Sequence, residues 1–471
     1  MHVHEFVKKV KQGEFDPVEN IEKVLDRCKT IDSEYHYFNR FSEDLAKEQA
    51  NSHQKGRLAG LPVSVKDCIC VKGIESRAGS KILNGYKPVF NATAVQKVID
   101  EGALIIGKTA QDEFGFGSFS SKVGIGFNRP LNPIDKERAC GGSSGGSAGL
   151  AGKADFPHIS LAESTGGSIA APASFCGVVG LCPTYGRVSR YGLIDYANSL
   201  DKIGPIGKSV YDCALALEII SGHDKNESTT LDAPVDRYSK FLGEGADQTK
   251  KQKIAVIKEC FSEGVDDAVS DKVWQGIKKL ESEGIPYEEI SLPLADNYSI
   301  PSYYLIAMAE SSTNLAKYCG MRYGAHPKVE GSFNEYFSKV RSENFGSEAK
   351  RRIIIGTFAR MAGYRDAFYM KSLRLRTKII AEYKKAFKSY SALVSPTMPI
   401  LPPRFSEIEK LTPLQNYMMD AMTAGPNLSG LPHISIPCKT HKGLPIGMML
   451  VCDHLDEKSL IQIGGMLEGT G

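Results

Sequence analysis

In "LPVSVKD", from Leu61 to Asp67, apolar and polar residues alternate. A strand of that pattern puts Val63 and Val65 on one face and Ser64 and Lys66 on the other. "ALIIG" is apolar throughout and predicts a buried strand, following a helix that carries Val95, Val98 and Ile99 and stops near Gly102. Earlier, Asp16-Pro17-Val18-Glu19 reads as a helix start: a cap, a proline where no N–H is missed, and a capping-box glutamate. Ile21, Val24, Leu25 and Cys28 then recur on one face. "IAVIK", a helix carrying Val269, Val273, Ile277 and Leu280, and "IPYEEISLP" form a β-α-β run. "HISIPC" and "IGMMLVC" read as adjacent strands joined through Gly443-Leu444-Pro445. Such alternation predicts an α/β fold, with a central mixed sheet covered by helices on both faces.

The same pattern suggests one domain over residues 1–471, with a helical N-terminal segment over 1–55 and a helix-rich insertion over about 300–390. Between His223 and Lys253 the chain turns polar without periodicity, as a linker or a long surface loop would. The opening "MHVHEFVKKVKQGEFD" is an amphipathic helix rather than a secretory signal, and no apolar run is long enough to span a bilayer. A cytoplasmic, non-membrane protein is expected.

Composition narrows the function classes only a little. A balance of 58 basic against 55 acidic residues gives +3, too weak a field to argue for direct nucleic-acid binding. The eleven cysteines are scattered, and Cys68-Ile-Cys70 has the wrong spacing for a zinc ribbon or a redox pair. They read as reduced core thiols.

Candidate chemistry lies in the glycine-rich stretches. Gly102 to Thr109, "GALIIGKT", satisfies the Walker A pattern literally, but its middle residues are buried strand formers that cannot converge amides on a phosphate. Gly142 to Gly146, "GSSGG", fits a nucleophile elbow that would nominate Ser144, yet a loop rather than a strand precedes it. A slack linker is also a poor fit, because "CGGSSGGSAG" runs directly into the small-residue helix start "SAGLAGKA". A second stretch, Thr165-Gly166-Gly167-Ser168, follows the strand "HISLA". Consecutive glycines before a serine let several backbone N–H groups face one concavity, as an oxyanion hole requires.

Lys66, "GGSSGGS" and "TGGSI" together resemble the amidase signature family, whose catalytic set is Ser-Ser-Lys. The resemblance implies Lys66 as base, Ser143 as relay and Ser168 as nucleophile, with an oxyanion hole formed by Thr165, Gly166, Gly167 and Ser168. Within the family, "GVVGLCPTYGRVSRYGLIDYANSLDKIGPIG", "YYLIAMAESSTNLAKYCGMRYG" and "FGSEAKRRIIIGTF" resemble the A subunits of aspartyl/glutamyl-tRNA amidotransferases. That likeness implies a glutamine pocket: Arg352 for the α-carboxylate, Asp420 for the α-ammonium and Tyr303 on the wall. It further implies ammonia transfer to a B subunit that uses ATP and Mg²⁺ to amidate Glu-tRNA(Gln) and/or Asp-tRNA(Asn), a C subunit clamping the two, and tRNA contact mainly through B. No cofactor or metal is expected in this chain. Two departures stand close to the triad: Ser164 where the family usually has Asp, and Ala170 where it has Arg. The segment "GSFSSKVGIGFNRPLNP" also differs from the usual "MGSSTENSAFGPTRNP".

A lysine can accept a proton from serine only when neutral, so Lys66 is expected among apolar neighbours, with no adjacent acid but Asp67. A stand-alone amidase acting on small aliphatic or aryl amides is the alternative. A non-catalytic scaffold would lack the lysine or a serine, and all three residues are present.

Overall fold

The computed structural model describes residues 2–52, 55–242 and 252–469. In it the strand-forming runs assemble into one sheet of eleven strands: β1 (Phe38–Phe41), β2 (Pro62–Lys66), β3 (Leu104–Thr109), β4 (Ile159–Ser164), β5 (Val179–Cys182), β6 (Lys202–Gly207), β7 (Ile254–Ile257), β8 (Tyr287–Ile290), β9 (Ala392–Pro396), β10 (His433–His441) and β11 (Leu444–Val451). The order is β1-β3-β2-β4-β6-β5-β10-β11-β9-β7-β8. Strands β3, β2 and β4 run parallel to one another, as do β9, β7 and β8, and the pairings from β4 through β6, β5, β10 and β11 to β9 are antiparallel. The sheet is therefore mixed.

Alternation along β3 shows why helices cover both faces. Ile105 packs into one apolar cluster with Val63, Val65 and Leu161, while Leu104 and Ile106 enter a second with Ile21, Leu25 and Cys28 of the helix Pro17–Tyr35. Burying each such side chain contributes roughly 1.5–3 kcal/mol. A one-residue slip of β2 would turn Val63 and Val65 out of their cluster, so burial specifies the register. That register sets Val63 against both Ile105 and Ile159, with β2 flanked on each side. Lys66 thereby ends its strand beside the end of β4 and the turn that follows.

The β-α-β run is present, with the helix Asp267–Ser282 joining the parallel strands β7 and β8. Strands β10 and β11 pair antiparallel around the Gly443 turn; β10 runs past the expected stretch to His441, while β11 starts earlier, at Leu444, and stops at Val451, short of Cys452. At the helix start Pro17–Tyr35, Asp16 accepts from the Val18 N–H at 2.9 Å. Glu19 does not close a capping box there; it pairs with Lys23 one turn on.

Within residues 1–55 the helices Val3–Lys11, Pro17–Tyr35 and Glu43–Ser52 are interrupted by β1, an edge strand missing from the sequence reading. Helices Pro293–Asn314, Phe333–Asn344, Ser347–Arg360 and Lys371–Ala386 fill the stretch around 300–390. Of the polar segment 223–253, residues 243–251 lie outside the described residues. The described part is anchored: Arg187 donates to the Tyr238 hydroxyl at 2.9 Å and to the Ala233 carbonyl at 3.2 Å.

Candidate active site

Lys66 is completely buried, and its ammonium has three acceptors. Nζ donates to Ser143 Oγ at 2.7 Å, to the Glu163 carbonyl at 2.9 Å and to Glu163 Oε2 at 2.9 Å. Three acceptors match the three hydrogens of an ammonium. The acid beside Lys66 is thus Glu163, which the sequence reading overlooked. Asp67 points elsewhere: it accepts from Asn39 Nδ2 and from the Arg77 and Gly79 N–H groups, and lies 3.9 Å from the buried Lys108. A charged residue within the otherwise apolar and small run of β4 was the available signal, because a buried acid needs a partner.

Ser143 reaches Lys66 through the first glycine-rich turn. Gly142 leaves room for the Asp112 carboxylate, which a Cβ would strike, and Gly115 at φ +81° closes over Ser143 Oγ and Glu163 Oε2. Burial pushes the Asp112 carboxyl up to about 6 against N–H donors from Lys122 and Ser120. The helix Gly145–Lys153 begins immediately afterwards. Ser144 donates to the Glu163 carbonyl at 3.1 Å, so the elbow reading has no support. Lys108 of the Walker-like match lies inside the protein, donating to the Ile69 carbonyl at 2.6 Å and Ser76 Oγ at 2.8 Å.

Behind β4, Thr165 to Ser168 form the second turn. Gly166 backs onto Tyr303 and Gly167 onto Thr423, each too close for a Cβ. Asn427 Nδ2 donates to the Gly166 carbonyl at 2.9 Å and fixes the turn from behind. Among the described residues, the amides of Gly166, Gly167 and Ser168 have no backbone acceptor. Ser168 retains 7% exposure before the helix Ala170–Cys176. The Thr165 hydroxyl sits 2.7 Å from Glu163 Oε1 and 2.7 Å from Asp201 Oδ1. Burial, and then the charge of Glu163, push the Asp201 carboxyl well up.

Of the predicted pocket residues, Arg352 is nearly buried within four aromatic rings: Phe116 (5.0 Å), Tyr304 (5.4 Å), Tyr417 (5.5 Å) and Tyr196 (5.6 Å). Its Nε donates to Glu348 Oε1 at 2.9 Å and its Nη1 to the Tyr196 hydroxyl. A cavity of about 200 Å³ opens against it, lined by Phe116, Ser118, Lys122, Glu348 and Tyr417. Asp420, its carboxyl pushed up by burial, accepts from the Tyr304 hydroxyl at 2.6 Å. Tyr303 packs edge-on to Tyr304 at 4.8 Å. Tyr303, Asp420 and Ser168 are not on that cavity's lining. Glu348, Tyr196 and Tyr304 were not singled out from the sequence.

Both departures from the family motif lie in the interior. Ser164 is buried with Oγ 3.5 Å from Asn427 Oδ1, and Ala170 is fully buried.

The family model for amidases matches residues 19–461. The chain belongs to the amidase family. It is 42% identical over 467 residues to the A subunit of glutamyl-tRNA(Gln) amidotransferase from Halothermothrix orenii, covering 99% of this chain and 96% of that protein. The crystal structure of the corresponding A subunit of glutamyl-tRNA(Gln) amidotransferase from Thermotoga maritima superimposes with a TM-score of 0.77 at 35% identity, covering 95% and 91% of the two chains. A bacterial aryl acylamidase of the amidase signature family shares the fold at a TM-score of 0.85 and 22% identity, covering 100% and 96%. Among the described residues, no helix is long and apolar enough to cross a membrane.

Proposed function

We propose that this amidase-family chain is the glutamine-hydrolysing subunit of a tRNA-dependent amidotransferase. The observation that carries the chemistry is the buried contact of Lys66 with Ser143, between two glycine-serine turns. Neutral Lys66 takes the proton of Ser143, Ser143 takes that of Ser168, and Ser168 Oγ bonds to the side-chain amide carbon of glutamine. The amides of Thr165 to Ser168 hold the oxyanion. As the C–N bond breaks, nitrogen takes a proton back through Ser143 and leaves as ammonia. Water then cleaves the ester and releases glutamate.

Arg352, on the cavity, is the cation that suits the α-carboxylate of an amino-acid headgroup; Asp420, held by Tyr304, and Tyr303 lie off that lining and are the residues the family likeness offers for the rest of the headgroup. Ammonia passes to a B subunit that activates the carboxylate of misacylated tRNA with ATP and Mg²⁺, with a C subunit joining the two, in the cytoplasm. The names of the relatives, each one subunit of a glutamyl-tRNA(Gln) amidotransferase, support Glu-tRNA(Gln) as acceptor. The test is Ser168→Ala in the assembled complex. Glutamine-dependent amidation should vanish while amidation from added ammonium persists. Loss of both would refute the role given to Ser168.

A further inference from the structure

Resting on the reading of Lys66 as the base, the geometry around it assigns a further role. The Lys66 Nζ atom is bonded twice to one residue, Glu163, through its carbonyl and its Oε2, and once to Ser143. A neutral amine keeps two hydrogens and one lone pair. With both hydrogens held by the two Glu163 oxygens, the lone pair can face only Ser143 Oγ, 2.7 Å away. We propose that Glu163 is a positioning residue for the base: its two oxygens aim the Lys66 lone pair at Ser143, and its carboxylate is the counter-charge of the base once protonated.

The charge state of Glu163 follows from its other oxygen. Thr165 has one hydroxyl hydrogen and lies 2.7 Å from a carboxyl oxygen on each side. One of those contacts must be donated by a protonated carboxyl. Asp201 is the group that burial pushes well up. The Lys66 ammonium donates to Glu163 Oε2, which makes Glu163 the carboxylate of the two; Thr165 then donates to Glu163, and Asp201, whose Oδ2 accepts from the Tyr196 and Ala197 N–H groups, carries the proton on Oδ1. This buried pair stands at 0% and 4% side-chain exposure, where an opposite charge counts most.

Other ionisable groups surround the pair. From the residue after β2, Asp67 turns to Arg77, Gly79 and Lys108, and Cys68 is a buried thiol pushed well up and neutral. Asp112 stands across the first glycine turn, pushed up to about 6. Tyr196 and Arg352 lie beyond Asp201. From β5 and β6, the buried thiol Cys182 and the buried Lys202 flank the end of β4, and Arg190 lies beyond Asp201; each is present in the parent and the variants alike.

The experiment is kcat/KM for glutamine from pH 6 to 10 with the parent, Glu163→Gln and Asp201→Asn. Removing the Glu163 charge leaves less to hold the Lys66 proton, so the acidic limb of Glu163→Gln should move down by at least about one pH unit, with a lower plateau. Asp201→Asn replaces an already neutral group and should leave the limb within about 0.3 unit. A Glu163→Gln limb that stays in place or moves up overturns the proposal, and so does an Asp201→Asn limb that moves with it. Should Glu163→Gln fail to fold, Glu163→Asp keeps the charge but withdraws the oxygen by one methylene. Its plateau should fall with the limb in place, and a limb displaced by a full unit refutes the idea. Lys66→Ala separates the two readings: activity surviving in it removes the base assignment itself, whatever Glu163 does.

Discussion

Arg352→Met takes away the cation of the pocket while keeping an unbranched side chain that fills the same aromatic cage. In the parent, Nε is engaged by Glu348 and Nη1 by Tyr196, so the rest of the guanidinium fork faces the cavity of about 200 Å³. A charge-assisted hydrogen bond to a substrate carboxylate there contributes about 1.5–3 kcal/mol, or roughly 10- to 150-fold in kcat/KM. The four rings around the guanidinium hold it in place before substrate arrives, so the loss should fall on KM. Truncation also leaves the buried Glu348 with only Arg351 as its cation, an added cost to stability. Arg352→Met/Glu348→Gln removes that stranded charge and should recover melting temperature without recovering KM. Steady-state kinetics with glutamine and with a neutral primary amide lacking the α-carboxylate make the comparison. Glutamine should lose roughly 10- to 150-fold through KM, with the neutral amide within about threefold of the parent. Equal losses on both substrates, or recovery of KM in the double variant, would refute the carboxylate role.

Two further outcomes concern packing and pH. Gly166→Ala drives a methyl into the Tyr303 phenol and should lower stability by about 1–3 kcal/mol, seen as a fall in melting temperature. Tyr303→Ala in the same chain opens space for that methyl, so the double variant should fall short of the summed single effects, and simple additivity would contradict the contact. Burial pushes the Glu113 carboxyl from 4.5 up to about 7, against hydrogen bonds from Ser80 and the Gly346 N–H. An acid raised in the folded state contributes stability that is fully present below about 4.5 and lost as pH rises through about 7, up to about 3 kcal/mol. The parent should therefore lose melting temperature relative to Glu113→Gln between pH 5 and 8; parallel curves would show that Glu113 does not titrate in that window.

The parts of the fold legible in the sequence were those where one residue's pattern carries its own evidence. Alternation in β2 located Lys66 on the face opposite Val63 and Val65, and the apolar run of β3 disposed of the Walker match because a strand cannot cradle a phosphate. The edge strand β1 escaped because Phe-Asn-Arg-Phe is half-buried and has no clean period. Glu163 escaped for a different reason. Its partner lies 97 residues earlier, and only the parallel pairing of β2 with β4 brings the two together. Arg352 was legible as a cation, but its ring cage joins residues from four separate segments. Tyr303 was chosen over its neighbour, although Tyr304 is the one bonded to Asp420.

The interior polar groups form one connected path rather than isolated contacts. Arg352 donates to Tyr196, the Tyr196 N–H donates to Asp201, and Asp201 meets Glu163 across Thr165; Glu163 holds Lys66, which holds Ser143. Every cation on this path has a carboxylate beside it: Glu348 for Arg352 and Glu163 for Lys66. The one extra acid on it, Asp201, is pushed well up by burial. Charges buried in this way are tolerated only as pairs, since a lone one costs several kcal/mol. Neutrality of the whole cluster, more than the identity of any one residue outside the serines and the lysine, is what the site has to preserve.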